Sequence, residues 1–339
     1  WARVLTRACT LSEKVEIVVG FSRSPETRDN FSAETGISVV STLKELLARD
    51  DIEGVILTVP NEQHYPVALQ VAKAGKHVYT EKPIAHNLED GLAIEKLQKE
   101  YGVTVTVGHS ARLLGGVQEI KKRILNGELG KVGFFEANFS NERALELTPD
   151  TWRWYRDRAP GGPLSQLAIH MFDVVNYLGE TIVEASSIAS KLSPVGAEVD
   201  DQSMTLLKFS DGAIAYIGTC WTSPGIFALR VFGSKALIHY EIDFGTWDTP
   251  EKIKNSSTFY IQRGKDGFGK REVLSEPETN MFTAELDIFA ESCKSGQTSV
   301  LSAANGNEAV ACVYAALSSI DKNGVSVKLS EVMQSARNK

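Results

Sequence analysis

The first hundred residues alternate short apolar runs with segments of helical periodicity, and this alternation constrains the fold more than any other feature. The runs are rich in β-branched residues, as expected of strands buried on both faces of a parallel sheet; they are Val15–Val19, Val55–Val59, Val78–Tyr79 and Val103–Val107. The helical segments between them are Glu26–Thr35, Leu43–Arg49, Pro66–Ala74 and Leu88–Tyr101, the last flanked by Asn87 as N-cap and Gly102 as C-terminal cap. This order predicts an α/β domain with a doubly wound parallel sheet that binds a nucleotide.

The chain opens in a predicted helix, Ala2–Cys9, rather than in a strand. A doubly wound sheet without its central first strand would expose two strand edges and much apolar surface. We therefore expect the first strand, with any G-x-G-x-x-G turn, to lie upstream of Trp1.

A different pattern begins at about Leu114. Helix Val117–Asn126 is followed by runs with strand periodicity, separated by turn signals such as Ser210-Asp211-Gly212; the runs are Val132–Asn138, Ile182–Ser190, Gln202–Phe209, Ala213–Cys220, Phe227–Phe232 and Ala236–Tyr240. We expect domains at 1–113 and 114–339, the second of α+β type with a mainly antiparallel sheet. The tail segments Met281–Ser292 and Asn305–Ser319 are predicted helices that pack back over one or both domains.

Composition and charge exclude several classes of protein. A chain of 339 residues with 42% hydrophobic and 23% charged residues fits two domains of common size. The net charge of −7 argues against a nucleic-acid ligand, because nucleic-acid binders usually carry clustered basic charge. The sequence lacks a long apolar span and the form of a secretion signal, so we expect no membrane partner and a cytoplasmic location. The four cysteines include no C-x-x-C pair, and no metal site is predicted.

The segment after the run at Val15–Val19 is a candidate cofactor-binding site. In doubly wound sheets, ligands lie beyond the carboxyl ends of the strands. Ser22 and Arg23 offer a hydroxyl and a guanidinium to the 2′-phosphate of NADP, whereas a carboxylate there would favour NAD. NADP is therefore favoured over NAD, and the alternative is a solvated arginine at a strand end.

Two further polar segments follow the next strands, at Pro60–His64 and at Thr80–Pro83. Within the second, the Lys82 amine could hydrogen-bond or protonate a substrate oxygen beside a cationic nicotinamide, which would lower its pKa. On spacing alone, an ordinary surface lysine before a turn proline is the favoured interpretation.

A histidine of the second domain is the other candidate for proton transfer. If the segment after Gly161-Gly162 is helical, Gln166, His170 and Asp173 share one face. A histidine has a pKa near working pH and can take the alcohol proton while hydride leaves the same carbon. The alternative is a core histidine paired with Asp173.

Five motifs in fixed order make the chain resemble the Gfo/Idh/MocA (glucose-fructose oxidoreductase / inositol dehydrogenase) family over nearly its whole length. They are T-V-P-N-x-x-H (Thr58–His64), E-K-P (Glu81–Pro83), V-G-H-x-x-R (Val107–Arg112), W-R (Trp152, Arg153), and G-G ending in H-x-x-D (Gly161–Asp173). The joint occurrence is far more specific than any one motif.

The resemblance implies a Rossmann domain, a second domain with an open-faced antiparallel sheet, and NAD(P) bound between them. Lys82 and His170 inherit the family's catalytic roles, and the Lys82–Pro83 bond is expected to be cis. Cofactor-binding roles are expected for Thr58, Pro60, Asn61, His64, Glu81 and Lys82, beside Ser22 and Arg23. Substrate-binding roles are expected for Arg112, Trp152, Arg153, Gln166 and Asp173. Polyol-oxidising members usually carry an aspartate where this chain has Gln166, which cannot relay a proton.

The leading hypothesis is hydride transfer between nicotinamide C4 and a carbinol or ketone carbon of a sugar-like or cyclitol substrate. Two alternatives stay open: a cofactor-sensing regulator without catalytic activity, and a lyase or glycosidase that uses a transient redox step. Because an open sheet has one face that needs cover, we expect a homodimer or homotetramer.

Overall fold

The structure is a computed structural model, and it describes residues 1–265 and 269–338. The chain divides into two compact units. The first comprises Trp1–Gly108 and Phe282–Gly306, and the second comprises His109–Met281 and Asn307–Lys339.

The regular elements are numbered in chain order. The helices are α1 (Ala2–Cys9), α2 (Pro25–Thr35), α3 (Leu43–Leu47), α4 (His64–Lys73), α5 (Leu88–Tyr101), α6 (Gly115–Leu125), α7 (Ile169–Leu178), α8 (Pro250–Ser256), α9 (Met281–Ser295), α10 (Ala303–Asp321) and α11 (Leu329–Arg337). The strands are β1 (Gly20–Phe21), β2 (Val39–Val40), β3 (Gly54–Leu57), β4 (His77–Glu81), β5 (Val105–Gly108), β6 (Val132–Ser140), β7 (Ile182–Ser190), β8 (Gln202–Phe209), β9 (Ile214–Cys220), β10 (Ile226–Gly233), β11 (Ala236–Asp243), β12 (Thr258–Arg263), β13 (Arg271–Val273) and β14 (Val327–Lys328).

Every strand pair of the first unit is parallel. Strands β3, β4 and β5 form one sheet in that order, and β1 pairs with β2 in a second sheet. The α/β expectation is confirmed, with one correction at Val15–Val19. The run Val15–Val19 is not a strand. Strand β2 (Val39–Val40) is too short to pair with it, because β2 lies opposite Gly20 and Phe21 only.

Helix α5 shows how the sequence sets an element's limits in this unit. The Asn87 side chain accepts a hydrogen bond from the backbone N–H of Asp90 at 2.8 Å, which satisfies one donor of the first turn. Gly102 ends the helix with a left-handed φ of 66°, a conformation that costs glycine little. Both predicted caps are confirmed.

Helix α9 contributes most of its length to the first unit, although it follows β6 to β13 of the second unit in the sequence. Its Phe289 ring packs edge-on against Tyr79 of β4, with centroids 5.8 Å apart. A Cβ at Gly54 would lie 2.9 Å from the same ring, so β3 needs glycine there. Burial of these rings accounts for the place of α9 in this unit.

The second unit is built on one large, mainly antiparallel sheet. Among the described residues its strand order is β13-β12-β11-β10-β6-β9-β8-β7-β14, and β6 with β9 is the parallel pair. Side chains along β8 alternate between buried and exposed, which leaves one face of the sheet covered and the other open. Met204 and Leu206 point to the open face and are 45% and 56% exposed.

No helix within the described ranges combines the length and the apolar character needed to span a lipid bilayer.

Candidate functional site

The carboxyl ends of three parallel strands bring several predicted residues to one edge of the first unit. Leu57 lies opposite Thr80, and Glu81 lies opposite Gly108, so β3, β4 and β5 end side by side. The segment after β3 holds Thr58, Pro60, Asn61 and His64, and Lys82 follows β4 directly. Half-buried Lys82 precedes Pro83 through a cis peptide bond, as expected from the family resemblance.

His64 fixes the ends of β3 and β4 against each other. The imidazole is fully buried, and its Nε2 lies 3.1 Å from the Val59 carbonyl oxygen. Its Nδ1 lies 3.0 Å from the Pro83 carbonyl oxygen and 3.0 Å from Thr80 Oγ1. Burial lowers the pKa of His64, and the surrounding carbonyl oxygens oppose that shift in part. The cofactor-binding role of His64 stays a prediction, because its ring nitrogens already face groups of the protein.

A buried acidic cluster lies beside Lys82. Burial raises the pKa of Glu81 to about 7, and the Lys82 charge partly offsets the effect. Burial and the charge of Glu81 raise the pKa of Glu285 well above its usual value. Tyr79 is also fully buried, and its pKa is raised first by burial and then by the two carboxyl groups. Two carboxyl groups held out of water in one cluster favour retention of a proton near neutral pH.

Gly108 makes room for this cluster at the end of β5. A Cβ there would lie 2.4 Å from the Tyr79 hydroxyl and 3.5 Å from Glu81 Oε1. The backbone N–H of Lys82 donates to Glu81 Oε2 at 3.3 Å. The Glu81 carboxyl group therefore holds the backbone from which the Lys82 side chain extends.

The end of β1 carries two arginines rather than the one singled out in the sequence. Arg23 is exposed, and Arg28 donates from Nη1 to the carbonyl oxygens of Ser22 and Arg23, each at 3.0 Å. Ser24 caps α2 by accepting from the Thr27 N–H at 3.2 Å. Two guanidinium groups beside a helix N-terminus favour a negative ligand. Arg28 could have been identified from the sequence as well, because it lies near the start of the predicted helix Glu26–Thr35.

In the second unit, His170 lies in an aromatic environment on α7. Its ring packs edge-on against Phe139 of β6 and against Trp247, with centroids 5.4 and 5.6 Å away. A π-helical turn, Leu164–Ala168, leads into α7 and carries Gln166. π-helical turns are rare in proteins overall, but those that exist are frequently found at functional sites. The Gln166 amide donates to the Ser165 hydroxyl at 3.3 Å.

Arg112 and Asp173 form a buried ion pair in the second unit. Arg112 Nε donates to Asp173 Oδ2 at 2.8 Å, and Nη2 donates to Oδ1. Burial acts to lower the pKa of Arg112, but the Asp173 carboxylate outweighs it and the net shift is upward. His109 Nδ1 lies 3.7 Å from the same carboxylate. The substrate-binding role of Arg112 and Asp173 stays a prediction, because each already binds the other.

Trp152 and Arg153 lie together in a short 3₁₀ turn, Trp152–Trp154. The guanidinium carbon of Arg153 lies over the Trp152 ring, 4.2 Å from its centroid. Burial and the charge of Arg143 lower the pKa of Arg153 to about 10. This pair supplies a cation on a flat aromatic support.

The groups at the strand ends of the first unit fit a dinucleotide. Arg23 and Arg28 supply positive charge at the end of β1, and Lys82 follows the end of β4 directly. When bound, NAD(P) would supply a hydride acceptor or donor at nicotinamide C4. Arg23 and Arg28 would hold its adenosine end.

Comparisons with known proteins show the family. Residues 2–109 match the model of the oxidoreductase family with an NAD-binding Rossmann fold, and residues 117–239 match the GFO/IDH/MocA C-terminal domain. The chain belongs to the Gfo/Idh/MocA family of oxidoreductases, which confirms the resemblance and the enzyme class predicted from the sequence.

Three individual proteins illustrate the likeness. A 4-carboxy-2-hydroxymuconate-6-semialdehyde dehydrogenase of Sphingobium sp. is 31% identical over 69% of this chain and 70% of its own length. Myo-inositol 2-dehydrogenase of Thermotoga maritima is 26% identical over 85% of this chain and 83% of its own length. The crystal structure of a proposed NADPH-dependent oxidoreductase of Desulfitobacterium hafniense superposes with a TM-score of 0.94 and 34% identity, covering 98% of this chain and 96% of that one.

The buried acidic cluster predicts a pH dependence of stability. The folded state retains a proton that the unfolded chain releases above its ordinary glutamate pKa of about 4.3, so stability is present at low pH and falls as pH rises. The fall continues through the raised Glu81 pKa of about 7. Glu285→Gln removes one acid, so its stability relative to the wild type should rise from pH 5 to pH 8.

Urea denaturation at each pH measures this difference. Glu291→Gln, on an exposed position of the same helix, is the matched control and should follow the wild-type curve. Parallel curves for Glu285→Gln and the wild type would show that the cluster holds no extra proton.

Proposed function

We propose that this chain transfers hydride reversibly between nicotinamide C4 and a carbinol or ketone carbon of a sugar-like or cyclitol substrate. The observation that carries the proposal is the position of half-buried Lys82 at the end of β4, beside the strand ends where dinucleotides bind. The related myo-inositol 2-dehydrogenase acts, by its name, on a cyclitol. The proposal extends that class of substrate to this chain.

Lys82 and His170 divide the work on the substrate oxygen. In oxidation the carbinol carbon loses hydride while its O–H proton passes to the His170 imidazole, and the Lys82 ammonium donates a hydrogen bond to the same oxygen. In reduction the proton returns from His170 to the developing alkoxide. Gln166 can orient an oxygen through its amide but takes no proton, so proton transfer depends on His170 and Lys82.

NADP is the proposed cofactor, in preference to NAD. Arg23 and Arg28 lie together at the end of β1, and no carboxylate stands at Ser22–Ser24 to repel a 2′-phosphate. The Desulfitobacterium protein, described as NADPH-dependent, supports the same choice. A cytoplasmic location also stays a prediction.

Neither alternative function is favoured by a particular feature. Gln166, in place of the aspartate usual in polyol-oxidising members, is compatible with a regulator without activity, but the relatives include dehydrogenases and reductases such as 1,5-anhydro-D-fructose reductase. Net oxidation of a polyol with accumulation of NADPH would exclude both the regulator and the transient-redox cycle.

Replacement of the two proposed catalytic groups should separate chemistry from binding. Lys82→Met and His170→Ala should each lower kcat by about 10²- to 10⁴-fold, the usual contribution of positioned acid–base groups. His170→Asn is a second variant that leaves a smaller gap between Phe139 and Trp247. NADPH binding, read from its fluorescence, should change little.

The control variant for Lys82→Met is Lys73→Met, which replaces an exposed lysine of α4 in the same unit.

The fluorescence titration also tests the cofactor preference when it is repeated with NADH and with Arg23→Ala. The wild type should bind NADPH more tightly than NADH, and Arg23→Ala should abolish this difference. Full turnover in Lys82→Met or His170→Ala would remove the assigned roles, and equal affinity for NADPH and NADH would remove the cofactor preference.

We also propose that the open sheet face joins copies of this chain into a homodimer or homotetramer. Strands β7, β8 and β9 place large apolar side chains on that face, and these are more than half exposed at Ile188, Leu206 and Ile214. Adjacent exposed apolar residues of this kind mark an association surface.

Light scattering at micromolar concentration should therefore give a dimer or tetramer mass. Leu206→Glu should shift the protein towards the monomer, because it places a charge inside the contact. Leu125→Glu, at an exposed position of α6, should leave the mass unchanged. A wild-type monomer would contradict the proposal.

A further inference from the structure

Arg153 is a half-buried cation for which the described residues provide no carboxylate partner. The pKa of Arg153 is lowered by burial and by the nearby Arg143, and no acidic group acts in the opposite direction. Its guanidinium carbon lies over the Trp152 ring, 4.2 Å from the centroid, and the charge that acts on it is that of the second cation, Arg143. A buried charge without a counter-charge is costly, so this position favours an anionic ligand.

Two acidic groups near this segment, Glu146 and Glu198, are either exposed to solvent or engaged with other residues. Glu146 lies 3.8 Å from Arg143 and is 72% exposed, so its charge is well screened. Glu198 accepts from the backbone N–H of Arg156 at 3.2 Å, and the Arg156 side chain donates to the Glu198 carbonyl oxygen. Neither carboxylate neutralises Arg153.

Contact with the Trp152 ring leaves the N–H donors of Arg153 available. The cation–π contact is made by the guanidinium charge over the ring face and does not use these donors for a hydrogen bond. These groups match the paired oxygens of a carboxylate or a phosphate. The Trp154 carbonyl oxygen accepts from the Glu198 N–H at 2.9 Å, which anchors the turn that presents Arg153.

The arginines lie at the same end of the second unit's sheet as His170. Phe139 of β6 packs on the His170 ring, and the chain reaches Arg143 four residues later, a span of at most roughly 14 Å. The Ala144 N–H donates to the Trp221 carbonyl oxygen at 2.9 Å. The Trp221 ring lies 3.2 Å from the Cβ position of Gly162, at the start of the segment that carries His170.

We propose that the substrate carries an anionic group, a carboxylate or a phosphate, which Arg153 binds with the help of Arg143. This inference rests on the proposed oxidoreductase function and narrows its substrate class to acidic sugars or sugar phosphates. His170 works on the carbinol, and the two arginines hold the charged end.

Three matched probes test the inference: D-glucose, D-glucuronate and D-glucose 6-phosphate, each with NADP and with NAD. At least one acidic sugar should exceed glucose in kcat/KM. Arg153→Gln should lower kcat/KM for that sugar by about 10- to 100-fold, mostly through KM, because a hydrogen bond to a charged group contributes about 1.5–3 kcal/mol. The loss for glucose in the same variant should be clearly smaller than the loss for that acidic sugar, because glucose carries no anionic group for Arg153 to bind.

Two further variants serve as a control and as a conservative replacement. Arg158→Gln is the matched control, because this exposed arginine of the same segment stacks on Tyr155 and should be dispensable. Arg153→Lys keeps the charge but loses the paired donors, so it should fall between the wild type and Arg153→Gln. Whichever of the two acidic sugars loses most in Arg153→Gln identifies carboxylate or phosphate as the bound group.

The outcomes separate the inference from the proposed function. Turnover of glucose equal to that of both acidic sugars, or an equal loss for all three sugars in Arg153→Gln, would overturn the inference and leave the oxidoreductase function standing. If none of the three sugars is oxidised, calorimetric binding decides: an acidic sugar that binds the wild type but not Arg153→Gln supports the inference, and no binding overturns it. Failure of every polyol in a wider panel would instead overturn the proposed function.

Discussion

The buried imidazole of His64 is the contact on which the site in the first unit depends. It faces the Val59 carbonyl oxygen on one side and the Pro83 carbonyl oxygen on the other, so the ends of β3 and β4 are held at a fixed separation. Because Lys82 lies directly between β4 and Pro83, its amine is placed by this contact. Hydrogen-bonded networks of buried polar groups are rigid when their members have partners.

The two units accommodate their buried ionisable side chains in different ways. In the first, Glu81 and Glu285 are buried with Tyr79, and burial shifts both carboxyl groups towards their neutral forms. In the second, Arg112 and Asp173 are buried as a bidentate pair, and loss of one partner of such a pair typically costs about 3–5 kcal/mol. Arg153 follows neither arrangement, which is why it points to a ligand rather than to a structural role.

Local chemistry made much of the fold predictable from the sequence. The caps of α5 follow from Asn87 and Gly102, and the structure has them, together with the full extents of β7 and β8, at the predicted residues. The strand predicted at Val15–Val19 was wrong because apolar β-branched residues do not reveal which backbone lies opposite. The π-helical turn before His170 was missed for a related reason, since one extra residue per turn leaves no mark in the hydrophobic pattern.

The site was predictable where a motif carried it and not where the partner is distant in the chain. Lys82 and His170 were found from motifs, whereas Glu285 comes from a helix about two hundred residues after Glu81 and Trp247 lies in a stretch without clear periodicity. Long-range contacts of this kind depend on tertiary packing, which a single sequence does not encode in its local pattern.

The central claim is that the Lys82 amine and the His170 imidazole act on one substrate oxygen. A crystal structure of the chain with NADPH and an alcohol substrate tests it most directly, because two reduced partners cannot react and the complex persists. The claim predicts that Lys82 Nζ and a ring nitrogen of His170 both lie within hydrogen-bonding distance of the same carbinol oxygen, about 2.6–3.2 Å. A substrate oxygen that contacts only one of the two groups would contradict it.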